Sequence, residues 1–310
     1  MSALRVGTRA SLLARAQSGQ VAQALATALG RDVVLVEVTT EGDINRAPLA
    51  QLGGTGVFVG ALRDALLRDE VDVAVHSLKD LPTIPAEELA LAAVPLREDP
   101  RDAVVARAGM TLGELPVGSR IGTGSPRRSA QLHALGLGLE VVAIRGNVDT
   151  RVRKVRSGEL DAVVLARAGL ARIDRLAEIT ETLDPLQMLP APGQGALAVE
   201  TRRGDGELTD AVRAALDDSA SRAAALAERT VLADLEAGCA APVGALAEVV
   251  EGEDGEELWL RAVALSPDGM LSVRRSATGS PTDPIGLGHA LAGEMVADGA
   301  SKLLGDPAVT

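Results

Sequence analysis

Ile121-Gly-Thr-Gly-Ser-Pro-Arg-Arg-Ser-Ala-Gln131 reads as a strand that hands over to a helix within a few residues. The strand lies near Arg120 to Gly122, Ser125 stands where a helix N-cap belongs, and Pro126 takes the first helical position. Arg127 and Arg128 then fall in the first helical turn. The same kind of junction recurs along the chain. Ile144-Arg-Gly-Asn-Val-Asp-Thr-Arg151 offers a strand end, a glycine turn, an Asn147 cap and arginine at the helix start. Val6-Gly-Thr-Arg-Ala-Ser11 leads into an amphipathic stretch, Leu13 to Leu29, closed by Gly30. Val71-Asp-Val-Ala-Val-His-Ser-Leu-Lys-Asp80 runs from an apolar strand straight into polar residues. Further strands read at Val33 to Val38, Leu89 to Val94, Val104 to Ala106, Val141 to Ile144 and Asp161 to Leu165, and a further helix at Val57 to Leu67. Such alternation predicts an α/β fold.

The pattern restarts after Asp99-Pro-Arg101, which predicts a second lobe of similar design. Leu189-Pro-Ala-Pro-Gly-Gln-Gly-Ala-Leu-Ala-Val-Glu200 joins a Pro/Gly linker to a short strand, so the chain is expected to cross back into the first sheet there. From Ser221 a long helix runs to Gly238. Strand-like Val243 to Val250, Leu258 to Leu265 and Leu271 to Arg274 follow, with a Ser266-Pro-Asp-Gly269 turn and a closing helix, Ile285 to Ala300. The expected organisation is a discontinuous first lobe, 1–97 plus 194–215, a second lobe, 98–193, and an α+β C-terminal domain with an antiparallel sheet, 219–310.

Composition narrows the function. Of 310 residues 46% are hydrophobic but only 1% aromatic, so the cores must be built from Ala, Val and Leu. A formal charge of -12 opposes nucleic-acid and anionic-membrane surfaces, which need a basic face. A small-molecule partner is expected instead. Lysine occurs only at Lys79, Lys154 and Lys302 among 31 basic residues, and arginine, which holds carboxylates bidentately, supplies the rest. The single cysteine excludes an intrachain disulfide, the three histidines show no metal spacing, and no metal is expected. The first residues lack the apolar core of a signal peptide, so a cytoplasmic protein is expected, and a monomer.

Arginines in a first helical turn oppose the helix dipole, at a few tenths to about 1 kcal/mol each, and a shared anion would explain them. Four strand-to-helix junctions bearing Arg or Lys point to one polyanionic ligand in a cleft between the lobes. The plainer alternative is solvated loop charge at each. Cations in such a cleft should contribute little to folding. Asp80 reads either as an acid/base or cation stabiliser with Lys79 binding an anion, or as a loop ion pair. Cys239, in Leu235-Glu-Ala-Gly-Cys-Ala-Ala-Pro242, reads as a reactive thiol in a tight loop or as a small buried hydrophobe. No phosphate-loop or dinucleotide glycine pattern is present.

Eight ordered runs resemble the porphobilinogen deaminase (hydroxymethylbilane synthase) family: Gly7-Thr-Arg-Ala-Ser11, Gly53-Gly-Thr-Gly-Val-Phe58, His76-Ser-Leu-Lys-Asp80, Arg97-Glu-Asp-Pro-Arg-Asp102, Gly122-Thr-Gly-Ser-Pro-Arg-Arg128, Arg145-Gly-Asn147, Pro192-Gly-Gln-Gly195 and Leu235-Glu-Ala-Gly-Cys239. The resemblance implies two periplasmic-binding-protein-like lobes and a dipyrromethane primer joined by thioether to Cys239. On it four porphobilinogen units condense head to tail with loss of ammonia, and hydrolysis then releases hydroxymethylbilane. It implies Asp80 as the catalytic carboxylate, stabilising the azafulvenium left when ammonia departs. Lys79, Ser125, Arg127, Arg128, Arg145 and Asn147 are implied on the cofactor side, and Arg9, Ser11, Arg151, Arg172 and Gln194 on the substrate side. Two departures stand out: Gln51 and Thr55 occupy positions where the family often carries lysine. The rival reading is a non-enzymatic two-lobed binding protein for a small polyanion, which gives Asp80 and Cys239 no task.

Overall fold

The computed structural model describes residues 2–39, 56–235, 241–253 and 255–304; Gln51, Thr55 and Cys239 lie outside them. Two compact units divide the chain, one of residues 1–98 with 196–222 and one of residues 99–195 with 223–310.

The first unit is built on a five-stranded sheet in the order β2-β1-β3-β10-β4. Its strands are β1 (Leu4–Thr8), β2 (Val33–Glu37), β3 (Val73–Ser77), β4 (Leu89–Ala93) and the returning β10 (Leu197–Arg202). β1 runs parallel to both β2 and β3, whereas β10 is antiparallel to β3 and β4. Helix α1 (Leu12–Leu29) begins at Ser11, whose hydroxyl accepts from Ala14 N at 3.3 Å, and ends at Gly30, left-handed at φ 57°. That left-handed C-cap is what glycine supplies without strain. Leu25, Val21, Val73, Val75, Leu197 and Val199 close one face of the sheet, with Val212 of α6 (Gly206–Leu216). On the other face Leu62, Ala65 and Leu66 of α2 (Gly56–Leu67) pack against Val71 and Ala74.

The second unit repeats this order. Its larger sheet runs β7-β6-β8-β5-β9, from β5 (Asp102–Ala106), β6 (Arg120–Thr123), β7 (Glu140–Ala143), β8 (Ala162–Ala166) and β9 (Glu181–Thr182). β6 is parallel to β7 and β8, and β5 is antiparallel to β8 and β9. Helices α3 (Pro126–Ala134), α4 (Val148–Arg156) and α5 (Arg167–Ala171) connect them. α/β is therefore the observed class, with one antiparallel strand set second from the edge in each five-stranded sheet.

The same unit carries an antiparallel three-stranded sheet, β11 (Val243–Gly252), β12 (Gly255–Leu265) and β13 (Ser272–Gly279). α7 (Ser219–Asp234) and α8 (Pro284–Ala297) cover its inner face through Ala227, Val231, Leu291 and Met295, packed on Leu258, Leu260 and Ala262. Two boundaries differ from expectation. β13 extends to Gly279, because its whole length pairs with β12. The closing helix breaks at Gly299, φ 89°, and resumes as α9 (Ala300–Leu304). The β12–β13 turn abuts α3, and a Cβ at Gly269 would lie 2.3 Å from Ala130 O, so only glycine fits. Ala245 N donates to Pro190 O at 2.9 Å, which fixes β11 to the loop after β9.

Candidate functional site

In each five-stranded sheet the strand order reverses direction beside its first parallel strand, between β1 and β3 and between β6 and β8. Open α/β sheets bind ligands off the carboxyl ends of the strands at such a point.

In the first unit Arg9 and Ser11 follow β1, and Lys79 and Asp80 follow the adjacent β3. Ser11 is spent as the α1 cap. Leu78 to Asp80 form a 3-10 turn closed by Leu81 N donating to Leu78 O at 3.2 Å, and Leu78 N donates to Ala196 O at 3.0 Å. The turn is thus anchored by the segment that enters β10, while Lys79 and Asp80 remain half-buried at its tip. A second carboxylate nearby is already committed. Glu200, across from Ala74 on β10, is buried, takes two hydrogen bonds from Arg63 at 2.9 and 2.7 Å, and lies 3.3 Å from His76 Nε2. Burial alone would raise its pKa, but the two hydrogen bonds and the charge of Arg63, with the His76 ring close by, hold it at about 2. Asp80, by contrast, sits at a strand end and has no such ion pair among the described residues.

The second unit gathers most of the other sequence-derived residues around one that sequence reasoning quoted but gave no role, Asp102. Ser125 Oγ caps α3 by accepting from Arg128 N at 3.4 Å, with Pro126 at the first helical position. Arg127 and Arg128 are not exposed cleft cations, which corrects the expectation that they add little to folding: they are 3% and 5% exposed. Both reach inward to Asp102, at the start of β5 and 0% exposed. Arg127 Nη2 lies 2.7 Å from Oδ2 and Arg128 Nη2 2.7 Å from Oδ1. Arg127 also donates to Leu189 O at 2.6 Å and Arg128 to Val164 O at 3.1 Å. Gln194, 1% exposed, donates to Asp102 Oδ1 at 2.9 Å and to Pro100 O at 2.7 Å. Burial pushes the Asp102 carboxyl up, but the two guanidinium charges and the hydrogen bonds from Arg128 and Gln194 outweigh it and hold it well below the usual range. The first-turn arginines therefore have an internal anion, supplied by β5, the strand that precedes β6 in the chain.

That anion balances only part of the charge. Arg151, in the first turn of α4, is half-buried, and its described polar contact is a donation from Nε to Gly146 O at 2.8 Å. Burial, then repulsion from Arg128, pushes its pKa down to about 10. Gly124, beside it, is pressed on the Ile144 backbone: a Cβ there would lie only 2.6 Å from Ile144 O, with Arg151 Nη2 in ordinary contact at 3.8 Å. Arg127 Nε is enclosed without a hydrogen-bond partner among the described residues. Arg172 donates to Gly195 O at 2.6 Å, bracing the Gln194 loop. Arg145 and Asn147 are exposed beyond β7, and Asn147 Oδ1 caps α4 by accepting from Thr150 N at 2.9 Å. The surplus of cations suits a ligand with several carboxylates. Among the described residues there is no cluster of His, Cys, Asp and Glu that could hold a metal ion, and no helix long and apolar enough to cross a membrane.

The family model described as "Porphobilinogen deaminase, dipyromethane cofactor binding domain" matches residues 4–210, and "Porphobilinogen deaminase, C-terminal domain" matches residues 223–297. Among similar proteins, "Porphobilinogen deaminase" of Nocardia farcinica is 57% identical over 99% of this chain and 89% of its own length. "Porphobilinogen deaminase 1" of Streptomyces coelicolor is 58% identical, covering 99% of this chain and 98% of its own. "Porphobilinogen deaminase" of Mycobacterium tuberculosis is 58% identical over 97% and 98%. Among solved structures, a periplasmic substrate-binding protein of an ABC transporter from Coxiella burnetii aligns at 14% identity and a TM-score of 0.43, covering 68% of this chain and 91% of that one.

Proposed function

Since the chain belongs to the porphobilinogen deaminase family, transferases of tetrapyrrole synthesis with a dipyrromethane cofactor, we propose that Asp80 is its catalytic carboxylate and that the arginines around Asp102 hold the acidic side chains of the growing pyrrole chain. Porphobilinogen is the substrate, four units are joined head to tail, and hydrolysis frees hydroxymethylbilane. The dipyrromethane cofactor would be held through Cys239 and the arginines named here, and would supply the nucleophilic pyrrole carbon for chain extension.

Loss of ammonia from porphobilinogen leaves an electron-poor azafulvenium cation. A carboxylate fixed at a strand end near the pyrrole N–H groups stabilises that cation, and again the one formed when the ring is attacked. Asp80 has the position for this: its turn is tied at Leu78 to Ala196, and the neighbouring buried carboxylate, Glu200, is engaged by Arg63 and His76. Each pyrrole unit brings an acetate and a propionate. Arg151, whose charged form is disfavoured by burial and by Arg128 and which has no carboxylate among its described contacts, is the observation that carries the binding half of the proposal. Arg128, close enough to act on its charge, and Arg172 and Gln194 at the 193–195 loop serve the same chemistry in the second unit, and Arg9 and Lys79 at the first unit's strand ends. We assign the protein to the cytoplasm as a monomer, with no nucleic-acid partner and with the three-domain division 1–97 plus 194–215, 98–193 and 219–310; the -12 charge and the separate C-terminal sheet support this reading.

The test separates charge from shape at Asp80. In single-turnover ammonia release from primer-loaded protein, Asp80→Asn should be severely slowed. Asp80→Glu should keep measurable turnover, displaced by about one methylene at a cost on the order of 100-fold per Å. If loaded Asp80→Asn releases ammonia as fast as the parent, the catalytic carboxylate lies elsewhere.

A further inference from the structure

Glu228 lies on α7 with 0% exposure, among Ala224, Ala225, Ala227 and Val231. A glutamate in such surroundings needs strong hydrogen bonds to offset its desolvation. Among the described residues, two join distant parts of the unit. Gly193 N donates to Oε2 at 2.6 Å, and Ala247 N, on β11, donates to Oε1 at 2.8 Å. Gly193 precedes Gln194, whose side chain donates to Asp102, and Asp102 holds Arg127 and Arg128. A continuous buried polar chain therefore runs from the three-stranded sheet, through one carboxylate on α7, to the arginine pair. Arg172 braces the same loop from its other end at Gly195.

We infer that Glu228 is a positioning residue for the porphobilinogen reaction: its carboxylate sets the Gly193-Gln194-Gly195 loop, and through Gln194 and Asp102 it sets the guanidinium groups that receive the pyrrole carboxylates. It touches no reacting atom. The inference rests on the reading above, that Arg128 and Gln194 face the pyrrole chain. Both acceptor oxygens are required, because each takes one backbone amide. Glutamine at this position keeps the shape but turns one acceptor into an N–H donor facing another N–H. The loop or β11 must then let go.

Glu228→Gln is compared with the parent and with Arg128→Leu in three measurements. Hydrogen exchange is read over residues 189–197 and 243–250, primer occupancy by intact mass after incubation with porphobilinogen, and KM against kcat for porphobilinogen. Losing a hydrogen bond to a charged group should speed exchange in one of the two segments about tenfold or more, with β8 unchanged. Primer occupancy should fall and KM should rise about tenfold with kcat moving less, because the lost interaction is one of binding rather than of chemistry. Unchanged exchange in both segments overturns the tether. Faster exchange with parental occupancy and KM, while Arg128→Leu lowers occupancy and raises KM, overturns the positioning role and leaves the binding reading intact. If Arg128→Leu itself behaves as the parent, the binding reading fails, and this inference with it. Should Glu228→Gln not fold, Glu228→Asp, which keeps the charge and shortens the reach by one methylene, is judged by the same three results.

Discussion

Replacing Asp102 by asparagine should destabilise the second unit severely. The carboxylate is wholly enclosed and lies 2.7 Å from one nitrogen of each arginine, so the substitution leaves two buried guanidinium groups with no counter-charge. Removing one partner of a buried ion pair costs about 3–5 kcal/mol. Asparagine keeps one acceptor oxygen, worth about 1 kcal/mol, but turns its NH2 toward guanidinium donors. A net loss of roughly 3 kcal/mol follows, or about 6–12 °C in Tm for a unit of this size. The assay is built into the chain: its single tryptophan, Trp259, sits on β12 of the same unit and is 50% exposed. Urea unfolding followed by Trp259 fluorescence, with primer occupancy matched by mass, reads the loss. Glu248→Gln is the internal control. Its partner Arg261 lies 2.6 Å away, but Glu248 is exposed and Arg261 only half-buried, so that pair should be worth about 1 kcal/mol or less. If Asp102→Asn costs no more than Glu248→Gln, the cluster is not the sequestered charge network described above.

Other outcomes follow from the same structure. Glu200, held at about 2 against about 4.5 unfolded, adds stability that is full above the unfolded value and lost as pH falls from about 4.5 to about 2. In Glu200→Gln, acid titration of stability through that window should be flatter than in the parent, and an identical slope would contradict the Arg63–His76 lock. Gly124→Ala should raise KM for porphobilinogen, because the new Cβ would meet Ile144 O at 2.6 Å and push the β6–α3 loop out of line with Arg151; an unchanged KM would show that this loop takes no part in binding. Cys239→Ser should give folded protein with no covalent pyrrole and essentially no activity, since a hydroxyl is a far weaker nucleophile than a partly ionised thiol; a normal adduct on that variant would rule out Cys239 as the attachment point.

The parallel halves of both five-stranded sheets were legible in the sequence because their signals are local. Ser11, Ser125 and Asn147 each stand at a helix start, and the structure gives each a capping hydrogen bond there. β5 and β10 were read as strands, but their antiparallel sense was not legible, since it depends on the path of the whole chain rather than on any window. The inward turn of Arg127 and Arg128 was hidden for the same reason: Asp102 is 26 residues from Arg128 in sequence, and a first-turn arginine looks alike whether its counter-ion is internal or a ligand. Glu228 did leave a trace. Ala224, Glu228, Val231 and Leu235 fall on one helical stripe, and a charged residue in an apolar register signals a committed buried partner.

The intact mass of native protein before and after addition of porphobilinogen tests the deaminase reading most directly. A deaminase that elongates a tethered primer should start heavier than its sequence by a dipyrrole and then show a ladder of successive pyrrole additions. A protein that keeps its bare sequence mass throughout prolonged incubation, binding porphobilinogen without any covalent increment, would contradict it.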